Sequence, residues 1–252
     1  MTIALVTGAN KGIGLAVTRN LARRGIKVWL GARSEQRGRD AVELLRAEQL
    51  DTEFVLLDVT NPNSIAAAAE RIASAGALDI LVNNAGIMND MVAGTLNPIL
   101  PSQLPLNTVR ELYDTNVFGA IEVIQRTLPL LRKSSGGRIV NVSSRFASFA
   151  HQTDVKWPPR SISTLGYSSA KAALNMVTVG FAYELRDTTI KINAVSPGTT
   201  ATDLSGTDAR KLAGKPGFGT PERGAETVVT YALLPAAGPS GRFFGPDGEL
   251  SW

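Results

Sequence analysis

Tyr167 and Lys171 stand four residues apart in Tyr167-Ser168-Ser169-Ala170-Lys171, inside residues 166–185, whose pattern predicts a helix. A phenol and an ammonium at that spacing share one helix face. A free Tyr, with a pKa of about 10, is a poor acid or base at neutral pH. A cation about 4 Å away is worth roughly 4 kcal/mol at an effective dielectric near 20, enough to lower that pKa by up to about 3. A phenol tuned in this way gives a proton to a carbonyl oxygen or takes one from an alcohol. Taken alone, the spacing also fits a solvated helix face, so the remaining residues have to decide.

Thr7-Gly8-Ala9-Asn10-Lys11-Gly12-Ile13-Gly14 follows the first apolar run and opens a helical pattern. Glycines there permit a tight turn and close approach of a pyrophosphate, and the helix N-terminus offers unpaired N–H groups. The spacing is Gly-x-x-x-Gly-x-Gly, not the commoner Gly-x-Gly-x-x-Gly. After the second run comes Gly31-Ala32-Arg33. An acid at that point would accept from a free 2′-hydroxyl; a guanidinium pairs with a 2′-phosphate instead. With Lys11 as a second cation, NADP(H) is expected rather than NAD. Asp58-Val59 after the third run suits an adenine, Asp58 accepting from its amino group and Val59 packing on the ring; Asp58 as a helix-start residue is the plainer reading. Asn83-Asn84-Ala85-Gly86 after the fourth run lets the chain pass close to a ribose and ties neighbouring strands together.

These residues need a frame. Short apolar runs (3–7, 28–30, 53–57, 80–83, 138–142, 191–195 and a last one at 242–245) alternate with helical patterns at 12–24, 35–48, 62–75, 107–131, 166–185 and 221–233. That alternation predicts a parallel sheet with helices on both faces. The runs are nearly all apolar rather than alternating, as expected when both sheet faces are covered. Three irregular stretches, residues 89–106 with three prolines, 146–165 with Pro158, Pro159 and His151, and 198–220, all follow strands where open α/β sheets bind ligands.

Composition removes other chemistries. The chain has 252 residues, 44% of them hydrophobic, enough for one core and a single domain over 1–252. It has no cysteine and one histidine, His151, which excludes disulfides, thiolate sites and multi-histidine metal sites; no metal is expected. The net charge of +4 is scattered, with small groups at Arg23-Arg24 and at residues 33–39. That suits an anionic small molecule and gives no basic stripe for nucleic acid. No run approaches a membrane span, and the first apolar run is too short for a signal-peptide core, so a soluble cytoplasmic protein is expected.

Together the glycine turn, Asn-Asn-Ala-Gly, the serine pair Ser143-Ser144 and Tyr-x-x-x-Lys resemble the short-chain dehydrogenase/reductase family, over essentially the whole chain. The resemblance implies an α/β fold: a single-domain Rossmann-type doubly wound sheet of seven parallel strands flanked by helices. It implies hydride transfer between a nicotinamide and an alcohol/carbonyl pair. It also implies a catalytic group of Asn116, Ser144, Tyr167 and Lys171. Ser144 would polarise the substrate oxygen, Tyr167 act as general acid, Lys171 lower the Tyr pKa and hold the ribose, and Asn116 hold a water relaying protons to Lys171. Pro197, Gly198, Thr200 and Thr202 match the family's contact to carboxamide and pyrophosphate. Lys11, Arg33, the segments 221–226 and 241–244 and the terminal Trp252 resemble the family's NADPH-preferring carbonyl-reductase group.

Ser144 and Tyr167 stand 23 positions apart, about ten more than the compact family pattern, and Asn83 to Asn116 is also long. The longer loop ahead of the Tyr helix favours a monomer over a dimer or tetramer. The expected activity is reversible, NADPH-dependent reduction of a ketone or aldehyde. Epimerase or dehydratase chemistry on the same fold, and a non-catalytic NADP(H)-binding redox sensor, are the alternatives. Phe146, Phe149 and Trp157 either wall a substrate pocket or pin their loop, and His151 either touches substrate or faces solvent.

Overall fold

The computed structural model describes residues 1–92, 95–157, 161–162 and 164–252. Pro158 and Pro159 lie outside the described residues. Strands β1 (Ile3–Val6), β2 (Lys27–Ala32), β3 (Thr52–Leu56), β4 (Ile80–Asn83), β5 (Arg138–Val142), β6 (Lys191–Val195), β7 (Phe243–Gly245) and β8 (Gly248–Glu249) form one sheet in the order β3-β2-β1-β4-β5-β6-β7-β8. β1 to β7 are parallel, and β8 turns back antiparallel on β7. Seven parallel strands are therefore as expected, and the eighth is an addition. A strand of two residues is too short to leave a hydrophobic period in the sequence.

The strand pleat sends alternate residues to opposite faces. Ala4 and Val6 pack with helices α1 (Gly12–Ala22), α2 (Glu35–Ala47) and, near the C-terminus, Pro221–Ala232. Ile3 and Leu5 pack with α3 (Pro62–Ala73), α5 (Gly119–Leu131) and the end of the long helix Leu165–Glu184. Both faces are covered, which is why the strand runs are mostly apolar.

The predicted helix over 107–131 is broken into α4 (Leu106–Tyr113), a π-helical turn (Asp114–Phe118) and α5. Asn116 sits in that turn. Its Oδ1 accepts from Ile87 N at 3.0 Å and its Nδ2 donates to Ile87 O at 2.9 Å. The irregular stretches contain two short helices, α6 (Phe149–Thr153) and α8 (Ala209–Leu212), ahead of the predicted helices α7 (Leu165–Glu184) and α9 (Pro221–Ala232) respectively.

Buried side chains lock the middle of the sheet. Asn83 Nδ2 donates to Asn141 Oδ1 at 3.0 Å, tying β4 to β5, and Asn141 Nδ2 donates to Thr178 Oγ1 of α7 at 2.9 Å. Ser143 Oγ donates to Asn175 Oδ1 of α7 at 2.6 Å. In a low-dielectric interior such bonds are strong, and losing one partner is costly. They fix α7, and with it Tyr167 and Lys171, over the C-terminal ends of β4 and β5.

Candidate active site

The strand order reverses between β1 and β4, and the turns leaving these two strands meet there. Asn84 Nδ2 donates to Thr7 O at 2.9 Å and Gly8 O at 3.1 Å, and Thr7 Oγ1 accepts from the backbone N–H groups of Asn84 and Ala85. Gly8 has φ +61°, and a Cβ on it would stand 2.8 Å from Ala85 Cα. Only glycine allows both that conformation and that approach.

A cleft of about 490 Å³ opens above the two turns. Gly8, Asn10, Lys11, Gly12, Ile13, Gly14, Arg33, Asp58, Val59, Asn84, Ala85, Gly86, Tyr167, Lys171, Pro197 and Thr202 all line it. Gly198 and Thr200 do not; they line a second, smaller pocket, which Thr202 also reaches.

The cleft fits a dinucleotide phosphate. Helices α2, α3 and α9 are each capped by a side chain, from Ser34, Asn61 and Thr220. Helix α1 has none: Lys11 holds the cap position without a side-chain bond, and the first turn carries no acid. Its first N–H groups and positive dipole end are left to an external anion. Arg33 and Arg37, both exposed, line one end of the cleft, and neither guanidinium has a partner among the described residues. Lys11 is already engaged, donating to Asp203 Oδ2 at 2.8 Å. Asp58 does not start a helix, since Asn61 caps α3; its Oδ1 accepts from Thr60 N and Oγ1 instead.

At the other end of the cleft lie Tyr167 and Lys171, 5% and 4% exposed. Lys171 Nζ stands 5.7 Å from the Tyr167 ring centroid and donates to Val142 O at 2.8 Å. Gly86 leaves room for this group: a Cβ there would stand 2.8 Å from Asn116 Oδ1 and 3.4 Å from Lys171 Nζ. Ser144 hydrogen-bonds the Tyr167 side chain. Of the two serines, Ser143 spends its hydroxyl on Asn175, whereas Ser144 lines the second pocket.

The electrostatics correct one expectation. Burial is the largest influence on Tyr167 and pushes its pKa up to about 12; the Ser144 hydrogen bond pulls it down, and the charge of Asp90 raises it further. Burial pulls Lys171 down to about 8. The lysine therefore does not make the phenol acidic in the free protein. Both groups are stripped of water, and desolvation favours the neutral form of each. The result is a phenol that holds its proton at neutral pH and an amine that is a cation only below about pH 8.

Asp90 carries no motif and was not legible. It is fully buried at the N-terminus of α7, where its Oδ2 accepts from Tyr167 N at 2.7 Å. A carboxylate there meets the positive end of the helix dipole. Arg37 was foreshadowed by the basic group at residues 33–39.

The second pocket, about 110 Å³, lies on the far side of Tyr167. Met88, Met91, Phe146, Trp157 and Phe218 supply apolar walls, and Ser144 and Tyr167 its polar corner. Phe146 and Trp157 meet edge-on, with centroids 5.5 Å apart. Phe149 is 71% exposed and lines neither cavity. His151 lies behind the wall, 5.1 Å from the Trp157 ring, and its Nδ1 is buried without a partner among the described residues.

Residues 2–213 match the short chain dehydrogenase family. The chain belongs to that family. It is 36% identical to "Carbonyl reductase [NADPH] 1" of Mus musculus, over 96% of this chain and 95% of that one. It is 31% identical to "(+)-neomenthol dehydrogenase" of Capsicum annuum, over 96% and 94%. Among solved structures, NADPH-bound carbonyl reductase from chicken fatty liver superposes with a TM-score of 0.82 at 27% identity, over the whole of both chains. The family's glycine turn, Asn-Asn-Ala-Gly and Tyr-x-x-x-Lys thus converge on one cleft in this chain, with Ser144 in the pocket beside it. No described helix is long and apolar enough to cross a membrane.

Proposed function

We propose that this short chain dehydrogenase reduces ketones or aldehydes to alcohols, reversibly, as a single NADP(H)-binding domain over residues 1–252. One observation carries the reading: Tyr167 lines both the dinucleotide cleft and the apolar pocket, hydrogen-bonded to Ser144. When bound, the reduced dinucleotide would supply the hydride that the carbonyl carbon accepts. Ser144 and Tyr167 together receive the carbonyl oxygen, and their hydroxyls stabilise the charge that develops on it. Tyr167 then gives its proton to that oxygen, completing the alcohol. Lys171, a cation at neutral pH, supports the phenolate left behind and holds the ribose hydroxyls. Asn116, its amide spent on the Ile87 backbone, positions the wall beside Lys171 along which a relay water would replace the lost proton. The helix α1 N-terminus and glycine turn take the pyrophosphate. Asp58 and Val59 would take the adenine, and Pro197 and Thr202 the carboxamide side, with Gly198 and Thr200 reaching it only from the pocket beyond. Arg33 takes the 2′-phosphate with Arg37 beside it, and Lys11 follows once released from Asp203. The relatives, carbonyl reductases of NADPH and a neomenthol dehydrogenase, agree by name with this chemistry.

A monomer and a cytoplasmic location belong to the same proposal. The monomer rests on the extended segment before α7, which carries α6. Exposed Met176 and Tyr183 on α7 speak for helix pairing instead, and sedimentation velocity separates the two.

NADPH absorbance followed against a carbonyl panel tests the reaction. Tyr167→Phe should lower turnover roughly 10²- to 10⁴-fold while NADPH still binds within a few-fold of wild type. Near-normal turnover in that variant overturns the assignment. Binding without NADPH oxidation would indicate a sensor, and product formed without net oxidation an epimerase.

A further inference from the structure

We propose that Arg145 makes this enzyme selective for carbonyl substrates that carry a carboxylate, so that its preferred substrate class is an apolar keto acid. The inference rests on the reductase reading and names the substrate class of the same site.

Arg145 follows Ser144 directly. Its backbone N donates to Ser196 Oγ at 3.2 Å, and a 3₁₀ turn over Arg145–Ala147 holds its Cα in place. The residue is half-buried. It lines the apolar pocket and not the dinucleotide cleft, which separates it from the phosphate-facing Arg33 and Arg37. Among the described residues lining that pocket it is the sole charged side chain, and no Asp or Glu accompanies it. Its guanidinium has no hydrogen-bond or ion-pair partner among the described residues.

A half-buried arginine without a partner among the described residues leaves its guanidinium available to an anion that enters the pocket. Beside apolar walls an anion pairs with it more strongly than in bulk water. The planar fork matches a carboxylate with two parallel bonds. Because Ser144 and Arg145 line the same small pocket, a ketone held by the first and a carboxylate held by the second belong to one ligand. Met88, Met91, Trp157 and Phe218 then receive an aryl or branched-alkyl body. The carbonyl carbon gains a hydride from the reduced dinucleotide and its oxygen a proton from Tyr167. The oxidised dinucleotide and a hydroxy acid leave, with the carboxylate unchanged.

The test pairs aryl keto acids, with the carboxylate one to three carbons from the ketone, against their methyl esters. Wild type, Arg145→Leu and Arg145→Lys are compared with NADPH. Arg145→Leu should lower kcat/KM for the best acid roughly 10- to 100-fold, as expected for a lost charge-assisted pair, and change that for its ester less than about threefold. Arg145→Lys should recover part of the loss, having the charge without the fork. An acid-to-ester ratio that Arg145→Leu leaves unchanged overturns the inference while the reductase reading stands. If no ketone is reduced, the reductase reading fails. The cation is then read by calorimetry of 3-phenylpropionate against 3-phenylpropionamide, in excess NADPH. A carboxylate preference lost in Arg145→Leu supports the site, and equal affinities overturn it.

Discussion

The two sides of Tyr167 are built differently. The dinucleotide side consists of strand ends and short turns tied by buried bonds across the sheet: Thr7 to Asn84, Asn83 to Asn141, Ser143 to Asn175. The carbonyl side consists of three long segments with sparse ties among the described residues: the Met91–Pro98 bridge within the first, the Thr200–Gly219 bridge within the third, and Thr207 Oγ1 donating to Thr95 O at 3.4 Å between those two. One side is fixed by the sheet that carries it, and the other by the mutual packing of loops. The family's shared chemistry sits on the first, and the features particular to this chain sit on the second.

The largest expected effect concerns what the rigid side sacrifices for function. Burying Lys171 lowers its pKa from 10.5 to about 8. Between those values the unfolded state binds more protons than the folded one, so this residue's contribution to stability rises with pH across that window. Below pH 8 both states are protonated and the full cost of burial, on the order of 3 kcal/mol, is present. Lys171→Met should therefore nearly abolish turnover yet raise Tm at pH 7 by several degrees, less whatever Val142 O loses as its donor disappears. Calorimetry and NADPH absorbance read the two effects. A variant that is both inactive and destabilised would remove the idea that this lysine is held at a cost. In the wild type, kcat/KM for reduction should fall above about pH 8 as the ammonium deprotonates, while the phenol keeps its proton to about 12. A profile flat to pH 10 would dismiss the cation from the mechanism.

The same contrast explains what the sequence could reveal. Gly8, Gly86 and Asn84 are legible because their roles are local: a positive φ, a close approach, an amide reaching the next strand. Parallel strands were legible from apolar runs, whereas β8 is too short to leave a period. The π-helical turn at Asp114–Phe118 was hidden because the partner of the Asn116 it carries, Ile87, lies 29 residues away. Asp90 and Arg145 were missed for the same reason. Each gains its meaning from a partner or a pocket that only the folded loops assemble. The direction of the Tyr167 pKa was misread because spacing reports distance to a charge and says nothing of lost water.

Arg33 tests whether the dinucleotide side works alone. Arg33→Asp removes a guanidinium that has no other partner among the described residues and places a carboxylate where a free 2′-hydroxyl can donate. NADPH kcat/KM should fall roughly 10- to 100-fold, and the value for NADH should hold or rise. KM for the ketone should stay near wild type, because no element of the apolar pocket has been touched. An unchanged NADPH/NADH ratio takes Arg33 out of the phosphate site. A large rise in ketone KM would say that the two sides are not separable.

The smallest effect lies where the two sides are joined. Lys11 belongs to the glycine turn and Asp203 to the segment before α8, and their ion pair at 2.8 Å crosses from one side to the other. Lys11 is the first cause holding Asp203 below the usual carboxylate range. Both side chains are well exposed, so the pair itself is worth at most about 1 kcal/mol. It nonetheless sets two tendencies against each other: it neutralises a cation that a 2′-phosphate would use, and it tethers a loop over the cleft. Asp203→Asn separates them. If neutralisation dominates, the freed Lys11 tightens NADPH binding by up to about fivefold, and raising salt removes the gain. If tethering dominates, NADPH binds no better and dissociates faster, with little dependence on salt. Stopped-flow fluorescence of NADPH at two ionic strengths distinguishes the cases. The first is expected here, since Asp203 also accepts from Ala209 N within its own segment, which keeps that loop shaped without Lys11.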